Sequence, residues 1–470
     1  VFQGDVVSSA AFDLAVIGAG PGGYVAAIRA AQLGMKVAVV EADRLGGVCL
    51  NWGCIPSKAL LTGAELVENL TQHGATFGVS ASGITLDYGK LIDHSRATAD
   101  RLNKGVASLF KKNKIEWLQG RGRLDGANRV VVSGASERAI DATHVLLATG
   151  STEWAPPSIP IDGVRVLTSR EALESRRVPG TLLVIGAGAV GMEFAYVYAM
   201  YGAQVTMVEM ADQMLPGADK DVAATVAREF AKKKIAVRTS TKFEQLKIDG
   251  GEVRVTVSKN GASEELTFDQ VLVAIGRRAL SGDLGLESAG IALDARGFVQ
   301  VSEHFRTAAP SVSAIGDVIG GALLAHKASE QGIQAVELLA GARKHAHPFH
   351  IPFCIYAQPQ VAWIGLTEEQ ARAKYGEVRV GKFPFTASGK AIAAAHTAGF
   401  AKILAEPKHG EIVGAHIVGH GATDLIGEIG LAMTLESTTA EVASTCHAHP
   451  TLSEAILEAA LAAEGRAINF

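Results

Sequence analysis

Phe12-Asp13-Leu14-Ala15-Val16-Ile17-Gly18-Ala19-Gly20-Pro21-Gly22-Gly23 is the stretch that decides how this chain folds. A mostly apolar run, short enough for a buried parallel strand, passes directly into a glycine-rich turn. Tyr24 to Leu33 is alanine-rich, with Pro21 suited to a first helical turn and Gly34 to closing the helix. Lys36 to Val40 then reads as a second strand ending at Glu41. In this strand-turn-helix setting G-x-G-x-x-G is a dinucleotide-binding fingerprint, with Gly22 inside its loop. Gly18 makes the tight turn, Gly20 lets a pyrophosphate approach the backbone, and Gly23 lets helix and strand pack closely. The helix N-terminus faces the phosphates, and Glu41 is placed for the ribose hydroxyls.

The same unit recurs. Leu182 to Ile185 is followed by Gly186-Ala187-Gly188-Ala189-Val190-Gly191, a helix to Tyr201, Gly202, and a strand Gln204 to Val208 ending at Glu209. Gly18, Gly20, Gly23, Gly34 and Glu41 have counterparts Gly186, Gly188, Gly191, Gly202 and Glu209 at a constant offset of 168 residues. One such glycine pattern is weak, because glycine is frequent here (52 residues). Two in full register predict two dinucleotide sites. A carboxylate at Glu209 suits the 2′-hydroxyl of NAD and repels the 2′-phosphate of NADP. Three further apolar strands end in small-residue turns: Val145 to Gly150, Val271 to Gly276, and Val312 to Asp317. Asp317 can serve a polyol such as flavin ribitol or cap a helix.

At 470 residues the chain exceeds one core and predicts three or four domains of about 100 to 150 residues. A formal charge of −4 leaves no basic field for nucleic acid. Lys111-Lys112 and Lys232-Lys233-Lys234 read as solvated helix ends. No apolar run reaches the roughly 18 to 20 residues that span a bilayer, and the start does not resemble a signal peptide. Val1 to Ala10 reads as a disordered leader or an expression remnant. Four cysteines point to a reducing compartment. His345, His347 and His350 surround Pro348 in a linker-like stretch and are assigned no metal; Cys354 reads as a buried small hydrophobe, and Cys446, three residues before His449, as a core residue or one near the site.

Cys49 and Cys54 lie in Gly46-Gly47-Val48-Cys49-Leu50-Asn51-Trp52-Gly53-Cys54-Ile55-Pro56-Ser57-Lys58. Their spacing suits zinc poorly, since zinc thiolates pair more closely and need a second pair. On an ideal helix residues five apart are separated by about 7.5 Å along the axis, beyond the roughly 7 Å Cα limit of a disulfide. Bridging them needs a distorted turn, for which Gly53 relaxes the backbone and Pro56 interrupts helical hydrogen bonding. A redox pair and two neighbouring buried cysteines both fit the spacing.

With Gly18 to Gly23, Gly46 to Lys58, Ala148-Thr149-Gly150, Gly186 to Gly191 with Glu193, Ala314-Ile315-Gly316-Asp317, and His447-Ala448-His449-Pro450-Thr451-Leu452-Ser453-Glu454, the chain resembles the pyridine nucleotide-disulfide oxidoreductases over nearly its whole length. Within them it is most similar to the members that act on protein-bound dihydrolipoamide. The resemblance implies an α/β fold with two Rossmann-like dinucleotide-binding domains, for FAD (1–150) and NAD (151–280). A central domain (281–347) and a C-terminal α+β dimerisation domain (348–470) complete it. It implies that Cys49 is the interchange thiol and Cys54 the thiol against the flavin. His449 is the general base, oriented by Glu454 and delivered to the partner subunit of a homodimer, and Lys58 pairs with Glu193 beside the flavin. Glu193 also suits the dipole of its own helix. The cofactor-binding residues it implies are Gly18, Gly20, Gly22, Gly23, Glu41, Gly47, Lys58, Gly122, Thr149, Gly150, Ser151, Gly316, Asp317, Leu324, Ala325 and His326, with Gly186, Gly188, Gly191, Glu193, Glu209 and Gly276.

Electrons then run from dihydrolipoamide through the Cys49-Cys54 disulfide and FAD to NAD. The implied partner is a lipoyl-bearing acyltransferase, or a glycine cleavage carrier, engaged through a subunit-binding domain, without nucleic acid or membrane. A bacterial cytoplasm or a mitochondrial matrix suits this chemistry. The chain departs from the family at Val48, where Thr is usual, and at Ala279-Leu280, where Pro-Asn is usual. Glu209 and the absence of a C-terminal cysteine pair disfavour NADPH-linked glutathione or mercuric reduction.

Overall fold

Ser9–Ile17, the strand that feeds the first glycine turn, pairs in parallel with Val37–Glu41 on one side and Arg138–Leu147 on the other. Leu14, Ala15 and Val16 are fully buried, as a strand covered on both faces requires. In this computed structural model, which describes residues 9–470, the strand starts three residues earlier than the sequence predicts, so Ser9 and Ala10 belong to it. The rest of the expected leader lies outside the described residues.

Two compact units divide the chain. The first runs to Pro56 and adds Asp93–Trp154 and Gly276–Pro348. Its sheet has the strand order Glu116–Gln119, Val37–Glu41, Ser9–Ile17, Arg138–Leu147, Arg129–Ser133, Arg121–Leu124. Val312–Ala314 pairs in parallel with Arg138–Leu147, setting Val312 opposite Val145. That pairing brings the Gly316-Asp317 turn beside the Ala148-Thr149-Gly150 turn, at the strand ends where such sheets bind ligands. Helices Pro21–Gln32 and Ala325–Leu339 cross closely: a Cβ on Gly332 would lie 2.6 Å from the Gly22 carbonyl oxygen, and one on Gly22 would lie 3.1 Å from that of Ala328.

The second unit comprises Ser57–Ile92, Ala155–Ile275 and Phe349–Phe470. A five-stranded parallel sheet in the order Ala236–Arg238, Gln204–Val208, Thr181–Ile185, Gln270–Val273, Val166–Leu167 carries the second fingerprint. Beside it in the chain, Lys242–Asp249, Glu252–Lys259 and Ala262–Phe268 form an antiparallel sheet. The C-terminal part is a five-stranded antiparallel sheet whose buried face shares a core with helices Ala422–Thr434 and Glu454–Ala463. Helix Ala189–Met200 is apolar on nearly every face and almost wholly buried, packing Tyr196 and Tyr198 with Leu60, Leu61 and Ala64.

Two local expectations need correction. Pro56 does not interrupt a helix: it stands third in Cys54–Glu68, in the first turn, where its missing N–H would have no intrahelical partner. Lys233 is not solvated. Its side chain is 10 % exposed and ion-pairs with Glu68, whose other oxygen accepts the Tyr196 hydroxyl at 2.6 Å. No helix among the described residues is long and apolar enough to cross a membrane.

Candidate active site

The two glycine cradles share one design. A Cβ on Gly18, whose φ is +102°, would fall 2.4 Å from the Ala148 carbonyl oxygen, and one on Gly186, also at +102°, would fall 2.4 Å from that of Ala274. At Gly23 and Gly191 a Cβ would strike the carbonyl oxygen of Gly18 or Gly186 at 1.9 and 2.0 Å. Protein packing therefore demands glycine at these four positions. Gly20 and Gly188 differ: their φ values of −66° and −79° suit any residue, and a Cβ would meet only Gly47 Cα at 4.0 Å in the first case and nothing in the second. Protein packing does not demand glycine there, and both positions border open space. Both helices begin without a side-chain cap, which leaves first-turn N–H groups for an anion.

Each cradle is closed by its acid. Glu41 accepts the Ala19 N–H at 2.7 Å and the Asp43 N–H at 2.8 Å, while Glu209 accepts those of Ala187 and Ala211, both at 2.9 Å. The 168-residue offset extends to these donors. Each carboxylate oxygen keeps a lone pair for a ribose hydroxyl. Burial pushes the Glu41 carboxyl up against the pull of its backbone donors. Sequence reasoning assigned these acids to a ligand and missed their hold on the loop.

In the first unit Asp317 caps no helix; its Oδ2 accepts the Ser151 hydroxyl at 2.5 Å. Arg277 in turn donates to Ser151 Oγ and to the Ser151 carbonyl, both at 2.8 Å. Gly316 is gripped at both ends, its N–H by Gln331 Oε1 at 2.9 Å and its carbonyl by Lys327 Nζ at 3.2 Å. Lys327 and Gln331 were not singled out from the sequence. A lysine in a first helical turn, against the dipole, was the available signal. Burial pulls its ammonium down while Asp317 pulls it up. Thr149 donates to the Leu280 carbonyl at 2.7 Å, so Ala279-Leu280 is tied to the Thr149-Gly150 turn. Gly122 packs on the sheet, where a Cβ would press Val40 at 3.1 Å and Ile17 at 3.2 Å. Leu324 N-caps the helix that His326 enters, again with no side-chain cap.

Cys49 lies in the short helix Gly47–Trp52 and Cys54 opens the next, with the break at Gly53 (φ −155°, ψ −112°). The interruption that the spacing demanded is present, and the two cysteines are close. Gly47 packs against Gly20, where a Cβ would come within 2.6 Å of its Cα. Asn51 is fully buried and donates to the carbonyls of Leu45 and Gly47, both at 2.9 Å. Arg96 donates to the Asn51 carbonyl at 2.6 Å and Ser95 to that of Pro56 at 2.9 Å. The pair thus sits on a fixed loop.

In the second unit Lys58 Nζ lies 3.0 Å from both oxygens of Glu193, and the Tyr356 N–H donates to Glu193 Oε1 at 3.1 Å. Glu193 is the one acid in an apolar buried helix, so its charge needs this compensation. Nearer the C-terminus His449 Nδ1 lies 2.8 Å from Glu454 Oε1, whose other oxygen accepts the Thr451 N–H at 2.8 Å. The Thr451 N–H, and then His449, holds the Glu454 carboxyl below its usual range. His447 anchors the same loop, with its ring nitrogens 2.7 Å from Glu428 Oε1 and 2.9 Å from the Thr445 carbonyl.

Comparison with known proteins gives this geometry a family. The model described as pyridine nucleotide-disulphide oxidoreductase matches residues 12–332, and that of the family's dimerisation domain matches residues 351–460. Dihydrolipoyl dehydrogenase of Zymomonas mobilis is 46 % identical over 98 % of this chain and 99 % of its own length. The Mycobacterium tuberculosis enzyme of that name is 44 % identical (98 % and 99 %), and the mitochondrial one of Dictyostelium discoideum 42 % (97 % and 95 %). Among solved structures, LpdA of Mycobacterium tuberculosis superposes with a TM-score of 0.89 at 28 % identity, covering 95 % of this chain and 98 % of its own. The chain belongs to the pyridine nucleotide-disulphide oxidoreductase family. It is an oxidoreductase of a family that uses FAD and NAD(H), and it carries that family's dimerisation domain.

Proposed function

We propose that this chain oxidises protein-bound dihydrolipoamide to lipoamide and reduces NAD, through a Cys49-Cys54 disulfide. The observation that carries the proposal is end-to-end similarity, at 42 to 46 % identity, to bacterial and mitochondrial dihydrolipoyl dehydrogenases. The residues suit it. The first cradle, with the Asp317 turn, fits FAD, and the second, with Glu209, fits NAD. Bound FAD supplies the two-electron relay between the cysteine pair and NAD.

The chain's own groups perform the thiol chemistry. With its Nδ1–H held by Glu454, His449 presents Nε2 as the base and takes a proton from one substrate thiol. The resulting thiolate attacks Cys49 Sγ, the Cys49–Cys54 bond breaks, and Cys54 leaves as a thiolate. His449 returns its proton to the Cys54 thiolate and takes the proton of the second substrate thiol, which attacks the substrate sulfur of the mixed disulfide and frees Cys49 as a thiolate that His449 then protonates. Substrate is now the disulfide and the cysteine pair the dithiol. Lys58 supplies positive charge beside the flavin, and Glu193 keeps that charge from being unpaired.

The same reading makes His449 act on the cysteines of a partner subunit. It also divides the chain at about residues 150, 280 and 347 into FAD, NAD, central and dimerisation domains. The macromolecular substrate is a lipoyl-bearing acyltransferase or glycine cleavage carrier, in a bacterial cytoplasm or a mitochondrial matrix. The test is direct. Purified protein is expected to be yellow, to oxidise NADH rapidly with lipoamide, and to lose this on Cys49→Ser. Robust turnover with glutathione and NADPH but not with lipoamide would overturn the assignment.

A further inference from the structure

Tyr356 touches both members of the Lys58–Glu193 pair by different means. Its backbone N–H donates to Glu193 Oε1 at 3.1 Å, while its ring lies beneath Lys58 Nζ at 4.5 Å from the centroid. Resting on the reading that Lys58 and Glu193 flank the flavin, we propose that Tyr356 is a positioning residue that fixes the Lys58 ammonium and, through it, the flavin's reduction potential.

An ammonium has three donors, and Lys58 places both Glu193 oxygens at 3.0 Å. The pair is unequally covered: the Glu193 side chain is 8 % exposed and that of Lys58 31 %. Water reaching the ammonium would screen its charge and let the flexible lysine stem swing. The negative face of an aromatic ring covers one side of the ammonium and attracts the cation without adding a second anion to neutralise it. Nearby Cys354 does not compete, because burial pushes its thiol up to about 11 and keeps it protonated. Tyr356 itself packs half-buried against the core that holds helix Ala189–Met200. The hydrogen bond to Glu193 comes from its backbone and survives any substitution except proline. Replacement therefore isolates the ring.

The experiment is a dye-equilibration measurement of the flavin midpoint potential in the FAD-loaded enzyme, for wild type, Tyr356→Phe, Tyr356→Leu and Lys58→Met. Lys58→Met should disfavour reduced flavin most. Tyr356→Leu should do so in the same direction, by about tenfold in the reduced-to-oxidised ratio, roughly 30 mV for two electrons. Tyr356→Phe should match wild type. Fluorinated phenylalanines at position 356 keep the ring's shape while weakening its negative face, and should give a graded shift of the same sign. A Lys58→Met shift with none from Tyr356→Leu or the fluorinated rings overturns the positioning role alone. An unchanged potential in Lys58→Met overturns the placement of Lys58 beside the flavin.

Discussion

His449 is 78 % exposed at its side chain in the single chain, yet its Nδ1 is held 2.8 Å from Glu454 Oε1. The ring is oriented before any substrate or partner covers it, and its free nitrogen points away from its own orienting acid. Because Glu454 is held below the usual carboxylate range by the Thr451 N–H and by His449, it remains ionised at every physiological pH. Glu454→Gln is expected to lower the rate with dihydrolipoamide by about 100-fold, the low end of general-base contributions, and His449→Gln by at least as much. Mixing Cys49→Ser with His449→Gln subunits should restore activity to the hybrid dimer. Inactive hybrids would show that base and thiol belong to one chain.

Gly186→Ala should separate the two cofactor sites. Its Cβ would fall 2.4 Å from the Ala274 carbonyl oxygen, at a φ of +102°. Strain of about 1 to 3 kcal/mol corresponds to an NADH affinity weakened by roughly 5- to 150-fold. The protein should remain yellow, as absorbance and NADH titration together would establish.

Lys402 is predicted to hold the second unit together. Its side chain is 2 % exposed, and its Nζ lies 3.0 Å from Asp219, 3.1 Å from Asp221 and 2.7 Å from Glu368. Lys402→Met strands the buried Asp219 carboxylate, 3 % exposed, and should cost about 3 to 5 kcal/mol, read from urea denaturation. Adding Asp219→Asn should recover part of that loss.

The same cluster sets a pH window. Asp219, Asp221 and Glu368 are held below their usual range, so their contribution is present above it and is lost as pH falls through the depressed values. Lys402 is raised, so its contribution is present below its ordinary value and is lost as pH rises through the folded one. Burial also pulls down the neighbouring His416, which therefore resists protonation and makes stability decline already below a pH of about 6.5. Melting temperatures from pH 5 to 8 should show that first decline, and His416→Gln should flatten it.

Much of this was legible because a glycine without space for a Cβ is a local constraint. Gly18 and Gly186 announce their turns, and Gly53 announces the break between the two cysteines. Lys233 and Lys402 were not legible. The partners that define Lys233 and Lys402 lie 165 and 183 residues away, and nothing in the local pattern marks such a lysine as buried. Tyr356 was missed for a related reason: half of what it does is done by its backbone, which leaves no trace in residue identity.

On the reading that Glu209 takes the coenzyme's ribose, the residue serves the surrounding loop as well. Replacing it with arginine to welcome a 2′-phosphate would also withdraw the acceptor from the N–H groups of Ala187 and Ala211. Choice of coenzyme is thereby fused to the integrity of the turn. A lineage that exchanged one coenzyme for the other would have to rebuild both together.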